Sequence, residues 1–88
     1  MKIEVLENEK DKLKIEIHDN LTLVNLINEN IWKQKGVDFS AYSQQHPYLS
    51  KPVLIVKGKD PKKIVIEAAE QIIEDVKEFR KHFQNVVK

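Results

Sequence analysis

Two short segments near the amino terminus place apolar residues at every second position, with charged or polar residues between them. The segments are residues 2–7 and 12–17, and the polar stretch 8–11 that joins them is turn-like. A period of two is typical of strands with one buried and one solvated face, so the pattern predicts a β-hairpin. The apolar positions are Ile3, Val5, Leu13, Ile15 and Ile17.

After the hairpin the apolar residues no longer alternate but recur at helical spacing, which predicts a first helix over about residues 22–34. Its apolar face consists of Leu23, Leu26, Ile27 and Ile31. Thr22 or Asn20 supplies the oxygen that caps the first turn, because both residue types are favoured there. Gly36 ends the helix, as glycine commonly does just past a helix.

Two further strands are predicted in the middle of the chain. Three apolar residues alternate with three more polar ones from Val37 to Tyr42, which gives a third strand with Val37, Phe39 and Ala41 on one face. Residues 44–52 hold two prolines and are predicted to form a loop. The continuous apolar run 53–56 predicts a fourth strand that is buried on both faces.

The last third of the chain is one long helical stripe, with apolar residues at alternating steps of four and three. Asp60 can cap this helix and Pro61 suits its first position. About 26 helical residues span roughly 39 Å, whereas a compact chain of this length is roughly 30 Å across. We expect the chain's own sheet to cover the early part of the stripe, and the late part to overhang the domain and need another chain to cover it. The early positions are Val65, Ala69 and Ile72, and the late ones are Val76, Phe79, Phe83 and Val86.

The element order ββαββα predicts the α+β class: a four-stranded, mainly antiparallel sheet with two helices on one face and a long C-terminal helix. The 88 residues form a single domain over 1–88. A domain of this size buries only about 60% of the surface of its unfolded chain, so a partner would add needed stability.

Composition and charge narrow the function classes. The formal net charge is +1, from 15 basic and 14 acidic residues, which argues against a dedicated nucleic-acid binder. The absence of cysteine excludes a disulfide framework and a thiolate metal site. The amino-terminal residues do not resemble a signal peptide, and no apolar run approaches the length of a membrane span. We therefore expect a soluble, cytoplasmic protein without membrane contact.

Residues suited to catalysis or metal binding are few and poorly spaced. His18, His46 and His82 lie far apart in sequence, without the short spacing of a ligand pair. Ser40 and Ser43 are not part of a G-x-S-x-G elbow, and the two glycines are isolated. We predict no catalytic residue, no cofactor and no metal ion, and an enzyme of unknown reaction is the least favoured alternative.

Two residues of the first helix each admit two interpretations. Trp32, the only tryptophan, is more often a core or rim residue than a platform for a ligand. Asn25 stands three residues after Thr22, so its side chain either reaches back to the cap, as in a capping box, or bonds to a partner. The sequence favours neither of these two interpretations of Asn25 over the other.

The segment 22–27 (TLVNLI) resembles the T-L-x-N-x-L core of the alpha motif, which RNA polymerase alpha subunits share with their archaeal and eukaryotic counterparts. Residues 37–42 (VDFSAY), followed by His46 and Pro47, are similar to the V-x-F-A-x-Y…H-P stretch of the small alpha-like subunits. The strand, lysine-rich turn and long amphipathic helix at the end of the chain are similar too. The whole chain therefore resembles the archaeal RNA polymerase subunit L family.

The chain departs from the family pattern at four positions. The family usually reads D-H-T-L-G-N where this chain has Asn20, Leu21 and Val24 among the matching residues, and alanine is usual at Ser40. The resemblance therefore implies that polar contacts before the first helix are altered. It also implies that a close backbone approach is lost where Val24 replaces glycine.

The resemblance implies a non-catalytic subunit that pairs with the larger alpha-like subunit, called D, as a heterodimer. That pair, with other polymerase subunits, would be the assembly platform for the catalytic subunits of DNA-directed RNA polymerase, without sequence-specific DNA contact of its own. The implied interface residues are Thr22, Leu23, Asn25, Leu26, Ile27, Phe39, Tyr42, His46, Pro47, Val76, Phe79 and Phe83. The alternative is a self-associating, nucleic-acid-binding chromatin protein, which is suggested by the lysines at 57, 59, 62 and 63 and opposed by the acidic residues that follow them.

Overall fold

Four strands and two helices follow one another in the predicted order ββαββα, in a computed structural model that describes residues 1–46 and 50–87. The strands are β1 (Lys2–Asn8), β2 (Lys12–His18), β3 (Val37–Ser43) and β4 (Val53–Gly58), and the helices are α1 (Leu21–Ile31) and α2 (Pro61–Val86). The sheet order is β1-β2-β4-β3, and every neighbouring pair is antiparallel. The predicted α+β class and its long C-terminal helix are confirmed.

The core lies between one face of the sheet and the two helices. Alternate residues of β2 and β4 are buried on that face, which explains why the period of two predicted these strands. The buried apolar residues are Leu13, Ile15, Ile17, Val24, Ile31, Leu54, Val56, Ile64 and Ala68. Both helices therefore pack on the same face, as expected.

The opposite face of the sheet is the outer face, and one prediction about it was wrong. Val53 and Ile55 are only partly buried, so β4 is covered on one face rather than two. On β3 the polar Ser40 is buried and Phe39 is exposed, opposite Lys57 on β4. The pairing of β3 with β4 shifts register between residues 37 and 39. The alternation of buried and exposed side chains seen at Phe39 and Ser40 therefore does not extend to the first residues of β3.

Side chains of α1 tie this helix to β3. Asn20 is the N-cap, because its Oδ1 accepts a hydrogen bond from the Leu23 amide at 2.9 Å. Asn28 Oδ1 accepts from Ser40 Oγ at 2.5 Å. Helix α1 ends at Ile31, short of the predicted residue 34. Trp32 follows it, half exposed, and its Nε1 donates to the Ser40 carbonyl at 3.0 Å on the edge strand of the sheet, which makes it a rim residue.

A tight turn positions the start of α2. Asp60 has a φ of 78° and its Oδ1 accepts from the Lys63 amide at 3.4 Å, and Pro61 follows in the first turn, as predicted. Gly58 lies directly against the Gly36 backbone, where a Cβ would collide with the Gly36 carbonyl oxygen. The turn between α1 and β3 and the turn before α2 therefore lie in direct contact at these two glycines.

Helix α2 extends beyond the domain. The molecule measures 47 × 33 × 17 Å, and every residue from 73 to 86, here called the outer half of α2, is exposed. Its inner half packs on the core through Pro61, Ile64 and Ala68. The predicted overhang is confirmed, but the predicted core positions need correction: Val65 and Ile72 are only partly buried and Ala69 is exposed.

Candidate partner interface

A groove between the two helices brings together three of the predicted interface residues. It has a volume of about 190 Å³, and we call it the α1–α2 groove. Most of its lining is apolar, and the side chains on α1 face those on the middle of α2. The lining residues are Leu26, Asn30, Ile72, Asp75, Val76 and Phe79.

A second groove, of about 300 Å³, lies between the helices and the sheet. Its lining is almost wholly apolar and comes from β1, β2, β4 and both helices; we call it the sheet-side groove. It is lined by Met1, Ile3, Ile15, Ile17, Leu23, Ile27, Leu54, Val65, Ala69, Ile72 and Ile73. Because Ile72 lines both grooves, they form one continuous apolar surface along α2.

The surface continues onto the outer half of α2, where two aromatic rings stack. The ring centroids of Phe79 and Phe83 are 5.9 Å apart with an interplanar angle of 22°. Phe79 is 69% exposed and Phe83 is 55% exposed, and Val76 between them and the domain is also exposed. Contiguous exposed apolar residues of this kind mark interaction sites in folded proteins.

Six predicted interface residues lie along this surface, and the others are placed differently. Leu23 and Ile27 line the sheet-side groove, whereas Leu26, Val76 and Phe79 line the α1–α2 groove. Phe83 extends the surface, and Thr22 is exposed in the first turn of α1. His46 is exposed after β3, and Pro47 lies outside the described residues.

Three other predicted residues belong to different surroundings. Asn25 Oδ1 accepts a hydrogen bond from Tyr42 Oη at 3.1 Å, so this pair joins α1 to β3 within the chain. This contact differs from both interpretations of Asn25, the capping box and the partner contact. Phe39 lies on the outer face, in an edge-to-face contact with Trp32 at 6.4 Å and beneath Lys57 Nζ at 5.7 Å.

Several residues of the surface were missed by the sequence analysis. Ile73 on α2, and Met1 and Ile3 at the start of the chain, are exposed and line the sheet-side groove. Ile73, with the exposed Ile66, broadens the apolar face of α2 beyond a single stripe, which a wider helical arc would have revealed. For β1, the alternation was recognised, but the sequence did not show that a helix fails to cover this edge strand.

Two polar pairs lie on the outer half of α2 beside the apolar surface. On the outer half of α2, Glu74 lies 3.9 Å from Lys77 and Glu78 lies 3.9 Å from His82. These side chains are well exposed, and exposed pairs contribute little to stability. They keep the flanks of the helix hydrated while the apolar surface between them stays bare.

An ion pair on β1 and β2 shows the only resolved changes of pKa among the titratable groups of the described residues. Lys12 Nζ lies 3.0 Å from Glu7 Oε2. The hydrogen bond and charge of Lys12 lower the pKa of Glu7, and the same contact raises the pKa of Lys12. Both side chains are on the outer face of the sheet, away from the two grooves.

One group of potential metal ligands occurs within residues 1–46 and 50–87. The ligand atoms of Glu4, Glu16 and His18 all lie within 4.8 Å of one another. His18 Nε2 is already 2.7 Å from Glu16 Oε1, and Lys2 Nζ is 3.1 Å from Glu4 Oε1, so these side chains already have polar partners within the chain. Sequence spacing could not reveal the group because its members come from two strands.

A further groove, of about 690 Å³, lies at the turn before α2. Charges of both signs line it, and its polar lining differs from that of the apolar surface. The lining residues are Lys10, Asp11, Asp38, Gly58, Lys59 and Asp60.

Neither helix in the described part of the chain is both long and apolar enough to cross a membrane.

Comparisons with known proteins agree on one group of relatives. The family described as "RNA polymerase Rpb3/Rpb11 dimerisation domain" matches residues 12–82. The chain is 34% identical over 94 residues to DNA-directed RNA polymerase subunit Rpo11 of Thermococcus sibiricus, covering 100% of this chain and 99% of the relative. It is 35% identical over 94 residues to Rpo11 of Pyrococcus horikoshii, with the same coverage of 100% and 99%.

The fold is also similar to that of a solved polymerase subunit. The crystal structure of DNA-directed RNA polymerase subunit L from Thermoplasma acidophilum superposes with a TM-score of 0.84 at 25% sequence identity. The match covers 96% of this chain and 86% of that chain.

Proposed function

The chain belongs to the RNA polymerase Rpb3/Rpb11 dimerisation domain family, and from this premise we propose that it pairs one-to-one with a larger alpha-like subunit of DNA-directed RNA polymerase. Its relatives are archaeal subunits of that polymerase. In this proposal the partner is the D-type subunit of the source organism, and the pair is the platform on which the catalytic subunits assemble. The chain has no catalytic role of its own and acts in the cytoplasm.

The observation that carries the proposal is the continuous apolar surface along α2. Its exposed residues include Ile73, Val76, Phe79 and Phe83, all on a helix that extends beyond its own domain. Burial of apolar area is the main favourable term in protein association. A second chain that packs on both grooves and on the outer half of α2 would remove this surface from water.

The contact residues we propose are those on that surface. Leu23 and Ile27 would contact the partner at the sheet-side groove, and Leu26 would do so at the α1–α2 groove. Thr22, Val76, Phe79 and Phe83 extend the same contact. Asn25 and Tyr42 support α1 from within the chain. Phe39 and His46 were predicted to contact the same partner, but they lie off this surface, so the proposed contact does not include them.

Co-expression with the larger subunit tests the pairing. We expect the two chains to co-elute as a one-to-one complex by size-exclusion chromatography with light scattering. The chain expressed alone should self-associate or be marginally stable. A stable, monodisperse monomer with no affinity for the larger subunit would contradict the proposal.

The chromatin-protein alternative receives less support from the lysines that suggested it. Lys63 Nζ is 3.8 Å from Glu67 Oε1, and Lys57 lies over the ring of Phe39 on the outer face, so two of the four lysines have partners within the chain. DNA binding by the chain should be weak, with a shallow dependence of log affinity on log salt concentration. A steep salt dependence with tight binding would favour the alternative.

A further inference from the structure

The side chain of Asn30 in α1 has a buried hydrogen-bond acceptor that no donor contacts. The residue lies beside the α1–α2 groove. The residue is 3% exposed and lines that groove. Its Nδ2 donates to the Leu26 carbonyl at 3.0 Å, and its main-chain carbonyl accepts from Gln34 Nε2 at 3.1 Å. Its Oδ1 is the buried side-chain polar atom for which the described residues provide no hydrogen-bond partner.

The orientation of the Asn30 amide follows from its contacts. Exchanging Nδ2 and Oδ1 would place Oδ1 against the Leu26 carbonyl oxygen, and both atoms are acceptors. The exchange would also leave an N–H donor buried without a partner. The unpaired atom is therefore the oxygen, which needs a donor.

The groove itself supplies no donor from the side chains that line it. Leu26, Ile72, Val76 and Phe79 are apolar, and the carboxylate of Asp75 is an acceptor that already receives Gln71 Nε2 at 2.9 Å. A buried water typically needs two to four polar partners, and these walls offer it few. A donor that arrives with another chain would satisfy the oxygen better.

We propose that Asn30 is a specificity-determining residue of the subunit interface. Its Oδ1 accepts a hydrogen bond from a side-chain O–H or N–H of the larger alpha-like subunit, inserted into the α1–α2 groove. This inference rests on the proposed function, because it assumes that the larger subunit covers the groove. A partner that placed only apolar side chains there would bury the oxygen unpaired, so Asn30 favours one partner over others.

The test compares two asparagines on the same helix. Asn30→Leu removes the unpaired acceptor and keeps the number and branching of the side-chain heavy atoms, whereas Asn28→Leu removes an acceptor that Ser40 Oγ already satisfies within the chain. Each free variant is unfolded in urea, and its affinity for the larger subunit of the source organism is measured by titration calorimetry. Asn30→Ala is measured as well, because it excludes a clash of the leucine with the partner.

We expect opposite effects from the two asparagines. Asn30→Leu and Asn30→Ala should each weaken binding about tenfold, because the partner's donor is then buried unpaired. Asn30→Leu should leave the urea midpoint of the free chain unchanged or raise it, because the substitution removes an acceptor that is unpaired there. Asn28→Leu should lower that midpoint and leave the affinity within about twofold of the unchanged chain.

Two results would overturn the inference, and they separate it from the proposed function. If the wild-type chain binds the larger subunit and the affinities of the Asn30 variants are within twofold of the wild-type affinity, the inference fails while the proposed pairing stands. The inference also fails if Asn30→Leu lowers the urea midpoint as Asn28→Leu does without weakening the complex. If the unchanged chain does not bind the larger subunit, the proposed pairing fails and the inference fails with it.

Discussion

Replacing Phe79 by alanine tests whether the outer half of α2 serves the chain's own domain or its partner. The Phe79 ring is 69% exposed, and its aromatic contact is with Phe83 on the same helix. Ile64, on the inner half of the same helix, is 2% exposed and belongs to the core. Ile64→Ala is therefore a matched control, with the same helix and the same replacement residue.

The two substitutions should differ strongly in the free chain. Ile64→Ala removes a buried side chain and should lower the free energy of unfolding by about 2–5 kcal/mol. Phe79→Ala removes a ring that water already contacts, so the change should stay within about 0.5 kcal/mol. The higher helix propensity of alanine would offset part of any loss at Phe79.

Binding should show the reverse order. An aromatic anchor near the centre of an interface contributes ~2 kcal/mol or more, so Phe79→Ala should raise the Kd for the larger subunit about thirtyfold or more. Ile64→Ala should weaken the apparent affinity only because a smaller fraction of the free chain is folded and able to bind. The measurements are urea denaturation of each free variant, followed by circular dichroism, and calorimetric titration with the larger subunit.

One result would refute this reasoning directly. If Phe79→Ala lowers the unfolding free energy of the free chain as much as Ile64→Ala does, the outer half of α2 folds back onto its own domain. An unchanged Kd for Phe79→Ala would instead remove this ring from the interface.

Three further substitutions test the fold around this surface. Asn20→Ala removes the cap of α1 and should lower the unfolding free energy by about 1 kcal/mol in urea denaturation, whereas Asn20→Ser should retain most of it. Gly58→Ala pushes a methyl group into the Gly36 carbonyl and should cost about 1–3 kcal/mol; an unchanged Tm would show that this turn moves easily. Lys12 lowers the pKa of Glu7, so their contact stabilises the chain above the ordinary pKa of a glutamate, and this contribution is lost as pH falls through the lower folded value. Glu7→Gln should therefore flatten the acid side of the stability curve slightly in thermal scans, and identical curves would contradict this assignment.

The sequence predicted the elements well where periodicity was strong. The alternation at Leu13, Ile15 and Ile17 predicted β2 because one face of that strand is buried. The uninterrupted apolar stripe predicted α2 and its overhang because helix length follows directly from residue count. The interface prediction for Val76 and Phe79 followed from the same overhang and lies on the apolar surface that the structure shows.

The sequence failed where tertiary contacts decide which face is buried. Ser40 is buried because Asn28 and the Trp32 indole engage its hydroxyl and its carbonyl, and no pattern of polarity predicts such a pair. Ala69 was placed in the core, yet α2 turns Ile64 and Ala68 inward, because its apolar face is wide enough for several packing angles. The unpaired oxygen of Asn30 depends on atomic contacts that only the structure reveals.

The exposure of the outer half of α2 has a consequence for the lifetime of the chain in the cell. An isolated helical segment of this length is marginal in water, so this part of α2 should open often and its amides should exchange rapidly with solvent when no partner is bound. Opened segments are the ones that proteases cleave. Excess copies that find no partner would then be degraded first, which would match the amount of this subunit to the supply of its partner.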